Sequence, residues 1–272
     1  MRIRPAENRR VNIVNLNDNQ IAEFEEQGYL LFPGLLDNDE VAILQSAMPE
    51  MIREKEDSTM ARLAFGAHAY SGPFRCLSLL PRLLNPVREL LGEDVYLHQS
   101  RINPKPGYGR GLSWDWHQDY PPWHTIDKMP EPRCIMASVF IDDCTAITSP
   151  LLVLPGSHRL GLLDSKLHKD ARGRGYALHH IDDSTLERHA KECGIDALIG
   201  PAGSVAFVHC NVLHGSSNNV SPWRRAIIYL IYNARSNACT GTERPWYQNN
   251  RDFTPLQPHN ESCLRALARP GK

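Results

Sequence analysis

Three residues of this 272-residue chain could share one metal ion: His117, Asp119 and His214. Two imidazoles and one carboxylate can occupy one face of an octahedral iron(II) ion, leaving three positions for a co-substrate and dioxygen. Residues two apart in an extended strand point to the same side, so His117 and Asp119 suit a strand end. Arg225 follows eleven residues after His214. Its guanidinium could hold the distal carboxylate of a 2-oxoacid in a bidentate pair.

The His-x-Asp spacing is weak by itself, because the chain contains two further examples, His168-Lys169-Asp170 and His180-Ile181-Asp182. Both lie in a stretch rich in charge and glycine, which is typical of surface loop and helix. His117 and His214 instead lie beside apolar, strand-like runs, where a metal-lined barrel would place its ligands. The spacing leaves a second interpretation open, in which both are core histidines bonded to backbone groups.

Helical periodicity is concentrated in the first third of the chain, and short strand-like runs follow. The predicted helices cover 17–27, 37–53 and 86–91, and the predicted strands cover 29–32, 95–103, 134–142, 151–154, 204–208 and 226–232. Helices first and strands after indicate an α+β fold, mainly β, in which N-terminal helices buttress a β-barrel or sandwich.

The chain divides into three predicted parts. Residues 1–16 form a polar N-terminal arm, 17–248 form a single domain, and the proline-containing stretch 249–272 forms an irregular C-terminal tail. Within the domain, 159–199 is too long for a plain hairpin. We expect it to pass over the barrel mouth as a lid-like insertion.

Composition excludes several classes of partner. The net charge is −1, from 30 basic and 31 acidic residues, so no nucleic acid is expected to bind. Seven cysteines without a Cys-x-x-Cys pair fit reduced thiols in the cytoplasm. We find neither the apolar core of a signal peptide nor a run that could span a bilayer, so no membrane partner is predicted. Monomer and homodimer are both left open.

Four stretches together resemble the phytanoyl-CoA dioxygenase superfamily of iron(II)/2-oxoglutarate oxygenases. They are 28–35, 98–103, 116–124 and 200–216. Within the superfamily, the chain is most similar to bacterial ectoine hydroxylases and to hydroxylases of free cyclic amino acids such as proline. The resemblance implies a double-stranded β-helix, that is, a jelly roll or cupin-like barrel.

The resemblance also implies roles for individual residues, with iron(II), 2-oxoglutarate and dioxygen as cofactors. The implied iron ligands are His117, Asp119 and His214; the 2-oxoglutarate residues are Arg225 and Asn103; the substrate residues are Gln99, Trp123 and Tyr229, with Arg101 as a candidate carboxylate clamp. Three of these keep structural alternatives. Gln99 could make a strand hydrogen bond, Trp123 could be a core aromatic, and Arg101 could form a salt bridge at a strand edge.

The chain departs from the ectoine enzymes beside the metal strand. Those enzymes typically read His-Ser-Asp-Phe-Glu-Thr-Trp-His, whereas this chain has Gln118 in place of the serine and Pro121-Pro122 in place of Glu-Thr. We therefore predict hydroxylation of a small cyclic imino acid, with release of succinate and carbon dioxide. L-proline (trans-4-hydroxylation) is the first candidate and L-pipecolate the second. Ectoine 5-hydroxylation is the nearest alternative.

The sequence disfavours three further classes of protein. A non-catalytic metal barrel that binds a small ligand is disfavoured, because a binding module has no need of open iron positions. The glycines at 107–111 do not follow the dinucleotide-binding spacing, and no βαβ unit follows them. Zinc hydrolysis is unsupported, since His-Glu-x-x-His is absent.

Overall fold

Two antiparallel sheets form the centre of the computed structural model, which describes residues 15–53, 63–109, 113–168 and 178–268. The helices are α1 (Asp18–Gln27), α2 (Asn38–Arg53), α3 (Ala67–Tyr70), α4 (Gly72–Ser78), α5 (Pro81–Leu91), α6 (Tyr120–Thr125), α7 (Asp183–Cys193) and α8 (Cys263–Ala268). The strands are β1 (Tyr29–Phe32), β2 (Ala64–Phe65), β3 (Val95–Lys105), β4 (Trp114–His117), β5 (Cys134–Phe140), β6 (Leu151–Val153), β7 (Ser165–His168), β8 (Leu178–Ile181), β9 (Asp196–Leu198), β10 (Val205–His209), β11 (His214–Ser216) and β12 (Arg225–Ala234).

The strand order is that of a double-stranded β-helix. The larger sheet runs β1-β10-β5-β12-β3-β2 and the smaller one β4-β11-β6-β9, while β7 and β8 form a separate hairpin. The chain passes from β5 in the larger sheet to β6 in the smaller, and again from β10 to β11 and back to β12. Apolar side chains from both sheets share one buried cluster between them. The predicted jelly-roll fold is confirmed.

The outer face of the larger sheet packs against the N-terminal helices. Alternate residues of β12 point to this side, because side chains alternate along a strand. The shared buried cluster includes Ala226, Ile228 and Leu230 of β12, Leu44 of α2, Phe74 of α4, and Leu83 and Leu84 of α5. The helices therefore buttress the barrel, as predicted.

Local signals explain the helix boundaries that were predicted and those that were missed. Asn17 and Gln20 form a capping box at the start of α1, and Gly28 ends that helix at φ 78°. The predicted helix at 86–91 was too short, since α5 begins at Pro81 and Pro86 lies inside it. Proline is favoured at a first helical position, which made Pro86 a misleading start signal. The short helices α3 and α4 were not predicted.

The insertion at 159–199 carries regular structure rather than a plain loop. It contains the β7–β8 hairpin and α7, and its last strand, β9, joins the smaller sheet. Ile181 packs with Leu154 and Leu213 in a small cluster that also contacts Trp116. Closure of the insertion as a lid stays a prediction.

The two ends of the chain are more ordered than the sequence predicted, where the structure describes them. Residues 1–14 of the predicted arm lie outside the described part, but Leu16 is buried and its backbone N–H donates to Glu89. The predicted irregular tail contains α8, and Leu264 in it is fully buried in the helix-side cluster. The prolines at 255 and 258 indicated irregular structure, and the apolar pattern of α8 is too short to outweigh them. Among the described helices, none has the length and hydropathy required to cross a membrane.

Candidate active site

The three predicted metal ligands converge on one point of the smaller sheet. His214 of β11 lies directly opposite His117 of β4 in the strand register, and their ring centroids are 4.2 Å apart. Asp119 follows two residues after His117. Its carboxylate oxygens lie 3.7 Å from His117 Nε2 and 3.8 Å from His214 Nε2. The three donor groups can therefore meet at one ion.

Backbone hydrogen bonds fix the orientation of both imidazoles. His117 Nδ1 lies 2.6 Å from the carbonyl oxygen of Asp115, and His214 Nδ1 lies 2.9 Å from that of Val212. Since a carbonyl oxygen only accepts, each Nδ1 must donate, which leaves the Nε2 lone pair for a metal. Both histidines are therefore bonded to backbone groups, as the second interpretation expected. That interpretation does not account for the Asp119 carboxylate, which lies beside both Nε2 atoms.

The protonation states suit a metal ion. Burial lowers the pKa of His117 to about 3, helped by the neighbouring His214 imidazole. Burial alone would raise the pKa of Asp119, but its neighbours, above all the Arg101 guanidinium, outweigh that effect and lower the pKa to about 2. Neutral imidazole and ionised carboxylate are the states in which these groups bind iron(II).

The other His-x-Asp segments show no such convergence where they are described. Asp182 accepts a hydrogen bond from the Thr185 backbone N–H at 3.0 Å and caps α7. In the segment that begins at His168, Lys169 and Asp170 lie outside the described residues. The assignment of His117 and Asp119 as metal ligands stays a prediction that this geometry supports.

Arg101 lies between the Asp119 carboxylate and the Tyr229 ring. Its Nη2 lies 3.3 Å from Asp119 Oδ2, and its guanidinium lies 5.1 Å from the centre of the Tyr229 ring. Tyr229 is the cross-strand neighbour of Arg101 between β12 and β3. Arg101 therefore faces the Asp119 carboxylate rather than an exposed strand edge.

A second buried positive cluster lies further along the same two strands. Arg225 and Lys105 face each other in register, and both are almost fully buried. Arg225 donates through Nε and Nη2 to the Ser149 carbonyl oxygen, at 2.9 and 2.5 Å. Its buried Nη1 has no acceptor within hydrogen-bond distance among the described residues. A buried guanidinium with a free donor is costly unless an anion completes it, so the site fits the distal carboxylate of a 2-oxoacid.

Lys105 was missed at the sequence level. Its Nζ donates to Ser149 Oγ at 2.9 Å, Ser216 Oγ at 2.6 Å and the Ser217 carbonyl oxygen at 2.7 Å. Burial lowers the pKa of Lys105 to about 6, and the charge of Arg225 adds to the effect. The signal that could have revealed it is period-two alternation, because Lys105 follows Arg101 and Asn103 on one face of β3.

The cavity between the sheets brings together five of the nine predicted site residues. It measures about 330 Å³, including space open to solvent, and is lined by Leu63, Arg101, Asn103, Trp114, His117, Leu151, His214, Ser216 and Tyr229. Leu63, Trp114, Leu151 and Ser216 were not predicted. They come from four separate strands or connections, which only the closed barrel brings together.

Two predicted substrate residues lie away from this cavity. Gln99 is buried, and its Nε2 donates to the Gln248 carbonyl oxygen at 3.2 Å. Trp123 of α6 belongs to the buried cluster between the sheets, and its ring lies 5.3 Å from that of His98. These positions match the structural alternatives for both residues. Their role in substrate binding stays a prediction.

Gln118 points away from the cavity, although it lies between two metal ligands. Its Nε2 donates to the carbonyl oxygens of Gly161 and Asn211 at 2.8 and 3.0 Å. Its Oε1 accepts from the Leu163 backbone N–H at 3.0 Å. Gln118 therefore ties the start of the insertion to the metal strand.

A double-stranded β-helix with two histidines and one aspartate at an interior cavity is the arrangement of iron(II)-dependent oxygenases. The chain belongs to the phytanoyl-CoA dioxygenase (PhyH) family, whose model matches residues 24–227.

Individual relatives narrow the class. The chain is 36% identical to an ectoine dioxygenase of Bordetella bronchiseptica over 239 residues, covering 82% of this chain and 77% of that protein. It is 31% identical to an L-proline trans-4-hydroxylase of Streptomyces griseoviridis, covering 86% and 93%. The crystal structure of EctD from S. alaskensis with 2-oxoglutarate and 5-hydroxyectoine superposes with a TM-score of 0.78 at 34% identity, covering 90% and 87%.

These findings confirm the predicted family and chemistry. The protein is a 2-oxoglutarate-dependent dioxygenase with iron(II), 2-oxoglutarate and dioxygen as its cofactors.

Proposed function

We propose that His117, Asp119 and His214 bind the iron(II) of an ectoine hydroxylase-like enzyme. The observation that carries the proposal is the meeting of two oriented Nε2 atoms and one ionised carboxylate at the wall of a cavity. When bound there, iron(II) would let dioxygen react with 2-oxoglutarate and an unactivated C–H bond, so that one oxygen atom enters the hydroxylated product, the other enters succinate, and carbon dioxide is released. The protein's own residues orient the reactants and exclude water.

Arg225 and Lys105 would hold the distal carboxylate of 2-oxoglutarate. The free Nη1 of Arg225 supplies a donor, and a carboxylate bound beside Lys105 would raise the pKa of its amino group and favour the charged form. Ser149 holds both cations through its carbonyl and hydroxyl oxygens. Asn103 lies between this cluster and Arg101 on the same face of β3, where its amide can contact the co-substrate.

Arg101 and Tyr229 would form the substrate side of the cavity. Arg101 keeps Asp119 ionised and oriented, and it also places a positive charge at the cavity wall where a substrate carboxylate could bind. The Tyr229 ring packs against that guanidinium and limits the space left for an aliphatic ring.

Ectoine is the first substrate candidate, because the ectoine dioxygenases reach the higher identities. L-proline, with L-pipecolate beside it, is the second. It is favoured by Gln118 and Pro121-Pro122, which replace the serine and Glu-Thr typical of ectoine enzymes. Pro121 is buried in the first turn of α6, the helix that begins directly after Asp119. These differences alter the connection that leaves the metal strand.

The deciding experiment is a succinate-release assay with iron-loaded protein, 2-oxoglutarate and oxygen. Ectoine, L-proline, L-pipecolate and no substrate are compared, with mass and NMR analysis of each product. Coupled succinate and a singly hydroxylated product with ectoine support the first candidate. The same result with proline or pipecolate alone selects the second. The absence of coupling with all three would overturn the cyclic amino-acid proposal.

Two sequence-based predictions accompany this function. The enzyme is expected in the cytoplasm, and it is expected to be a monomer or a homodimer. Size-exclusion chromatography with light scattering measures the second, and fractionation of the source cells measures the first.

A further inference from the structure

A second group of metal-binding side chains lies in the helical layer, away from the barrel cavity. Cys76 belongs to α4, Cys263 begins α8, and His259 lies in the connection before α8. One ligand atom from each lies within 4.8 Å of the other two. In tetrahedral zinc sites, Zn–S and Zn–N bonds of about 2.3 and 2.0–2.1 Å place ligand atoms about 3.6–3.8 Å apart. Small side-chain rotations are enough to reach that geometry.

We propose that Cys76, His259 and Cys263 form a zinc(II) site that fastens the C-terminal segment to α4. Two thiolates and one imidazole are a soft ligand set that suits zinc(II), whereas the two-imidazole, one-carboxylate set of the active site suits iron(II). His259 is exposed and the two cysteines are half-buried, so water can occupy the fourth position. The two sites therefore differ in ligand chemistry and in place.

Contacts that do not involve the ligand atoms bring the three residues together. The His259 backbone N–H donates to the Leu79 carbonyl oxygen at 2.8 Å, and the Leu79 N–H donates to that of Cys76 at 3.0 Å. Arg82 of α5 forms an ion pair with Glu261 at 2.7 Å. The connection that carries His259 and Cys263 is thus anchored on both sides of the site before any ion binds.

The same contacts explain how an ion would stabilise the protein. Leu264, next to Cys263, is fully buried in the helix-side core. Upstream, the Leu256 N–H donates to the Val95 carbonyl oxygen and the Asn250 N–H to that of His98. The C-terminal segment therefore runs from β3 to α4, and an ion at its end would fix it there. An ion that binds only the folded state raises stability.

The thiols also set an expected pH dependence. Zinc(II) binds cysteine as the thiolate, and an ordinary cysteine thiol is mostly protonated at neutral pH. Zinc binding must release that proton, so zinc affinity is expected to rise with pH.

Cobalt(II) titration of the full-length protein tests the site without any activity measurement. A thiolate-to-cobalt charge-transfer band is expected, and it should disappear when zinc(II) displaces the cobalt. Cobalt in the active site gives no such band, because His117, Asp119 and His214 provide no sulfur ligand. Cys76→Ser and Cys263→Ser should lose the band, while Cys193→Ser, which removes an exposed thiol of α7, should keep it.

His259→Gln provides a second variant at an exposed position, where correct folding is expected. It should weaken zinc binding and reduce the zinc-dependent rise in the unfolding midpoint without removing either thiol. Three results would each overturn the proposal: no charge-transfer band in the wild-type protein, a band that persists in Cys76→Ser, or isolation of the protein with a Cys76–Cys263 disulfide. None of these results depends on the substrate of the active site.

Discussion

The two faces of β12 carry different kinds of side chain: one face is apolar and packs against the helices, and the other carries charged and polar groups. On the outer face, Ile228 and Leu230 pack against the helices and carry no polar group. On the inner face, Arg225 and Tyr229 meet Lys105 and Arg101 across the strand pair. Because side chains alternate along a strand, one ten-residue segment supports both the hydrophobic core and the chemistry. Substitutions on the two faces should therefore separate stability from activity.

The largest effect is expected for His117→Ala, on the inner face of the smaller sheet. Removal of one of three ligands should lower iron binding and reduce substrate-coupled succinate release to background. Iron content and succinate are the measurements. The cooperative unfolding transition should remain, because the remaining contacts of β4 are unchanged. Full activity in this variant would remove His117 from the proposed iron site.

Arg225→Ala tests the inner face of β12 itself. Loss of a charged hydrogen-bonded pair, about 1.5–3 kcal/mol, corresponds to a roughly 10- to 150-fold rise in the 2-oxoglutarate concentration needed for half-maximal rate. Arg224→Ala is the matched control. Arg224 binds Asp142 through Nε and Nη2 at 2.7 and 2.9 Å on the partly exposed side. An equal rise in both variants would mean that Arg225 does not bind the co-substrate.

Leu230→Ala tests the outer face. Leu230 is fully buried, so the substitution should lower the free energy of unfolding by about 2–5 kcal/mol. Denaturant unfolding measures this loss. The rate per folded molecule and the half-saturating 2-oxoglutarate concentration should stay at the wild-type values at a temperature where the variant is folded. A selective change in 2-oxoglutarate affinity would show that the faces are coupled.

The smallest effect concerns the pH dependence of stability set by Lys105. Burial lowers the pKa of Lys105 from 10.5 to about 6, so the unfolded chain binds the extra proton between these values. The resulting cost to stability is fully present below pH 6 and is relieved as the pH rises toward 10.5. In Lys105→Met, without 2-oxoglutarate, the slope of unfolding free energy against pH should fall by up to about 1.4 kcal/mol per unit. An unchanged slope would show that Lys105 stays protonated in the folded protein.

Much of the fold was predictable because its signals are local. The capping residue Asn17 and the closing Gly28 mark α1, and apolar runs mark β5, β10 and β12. The helices α3 and α4 escaped prediction because each is too short to show a full period. The helix α8 has only six residues and follows several prolines, so it is recognisable only once it packs against α2 and α4.

Residue identity and spacing within single strands are local properties, and they are enough to predict the donor types, their order along the chain and the family. The packing of distant segments determined which side chains meet. It set His214 opposite His117, joined Lys105 to Arg225 through Ser149, placed Trp123 in the core, and brought Cys76 near Cys263. Each of these meetings depends on strand register or on helix docking between distant segments. Strand register and helix docking are set together when the two sheets and the helical layer pack, so no local sequence pattern predicts them.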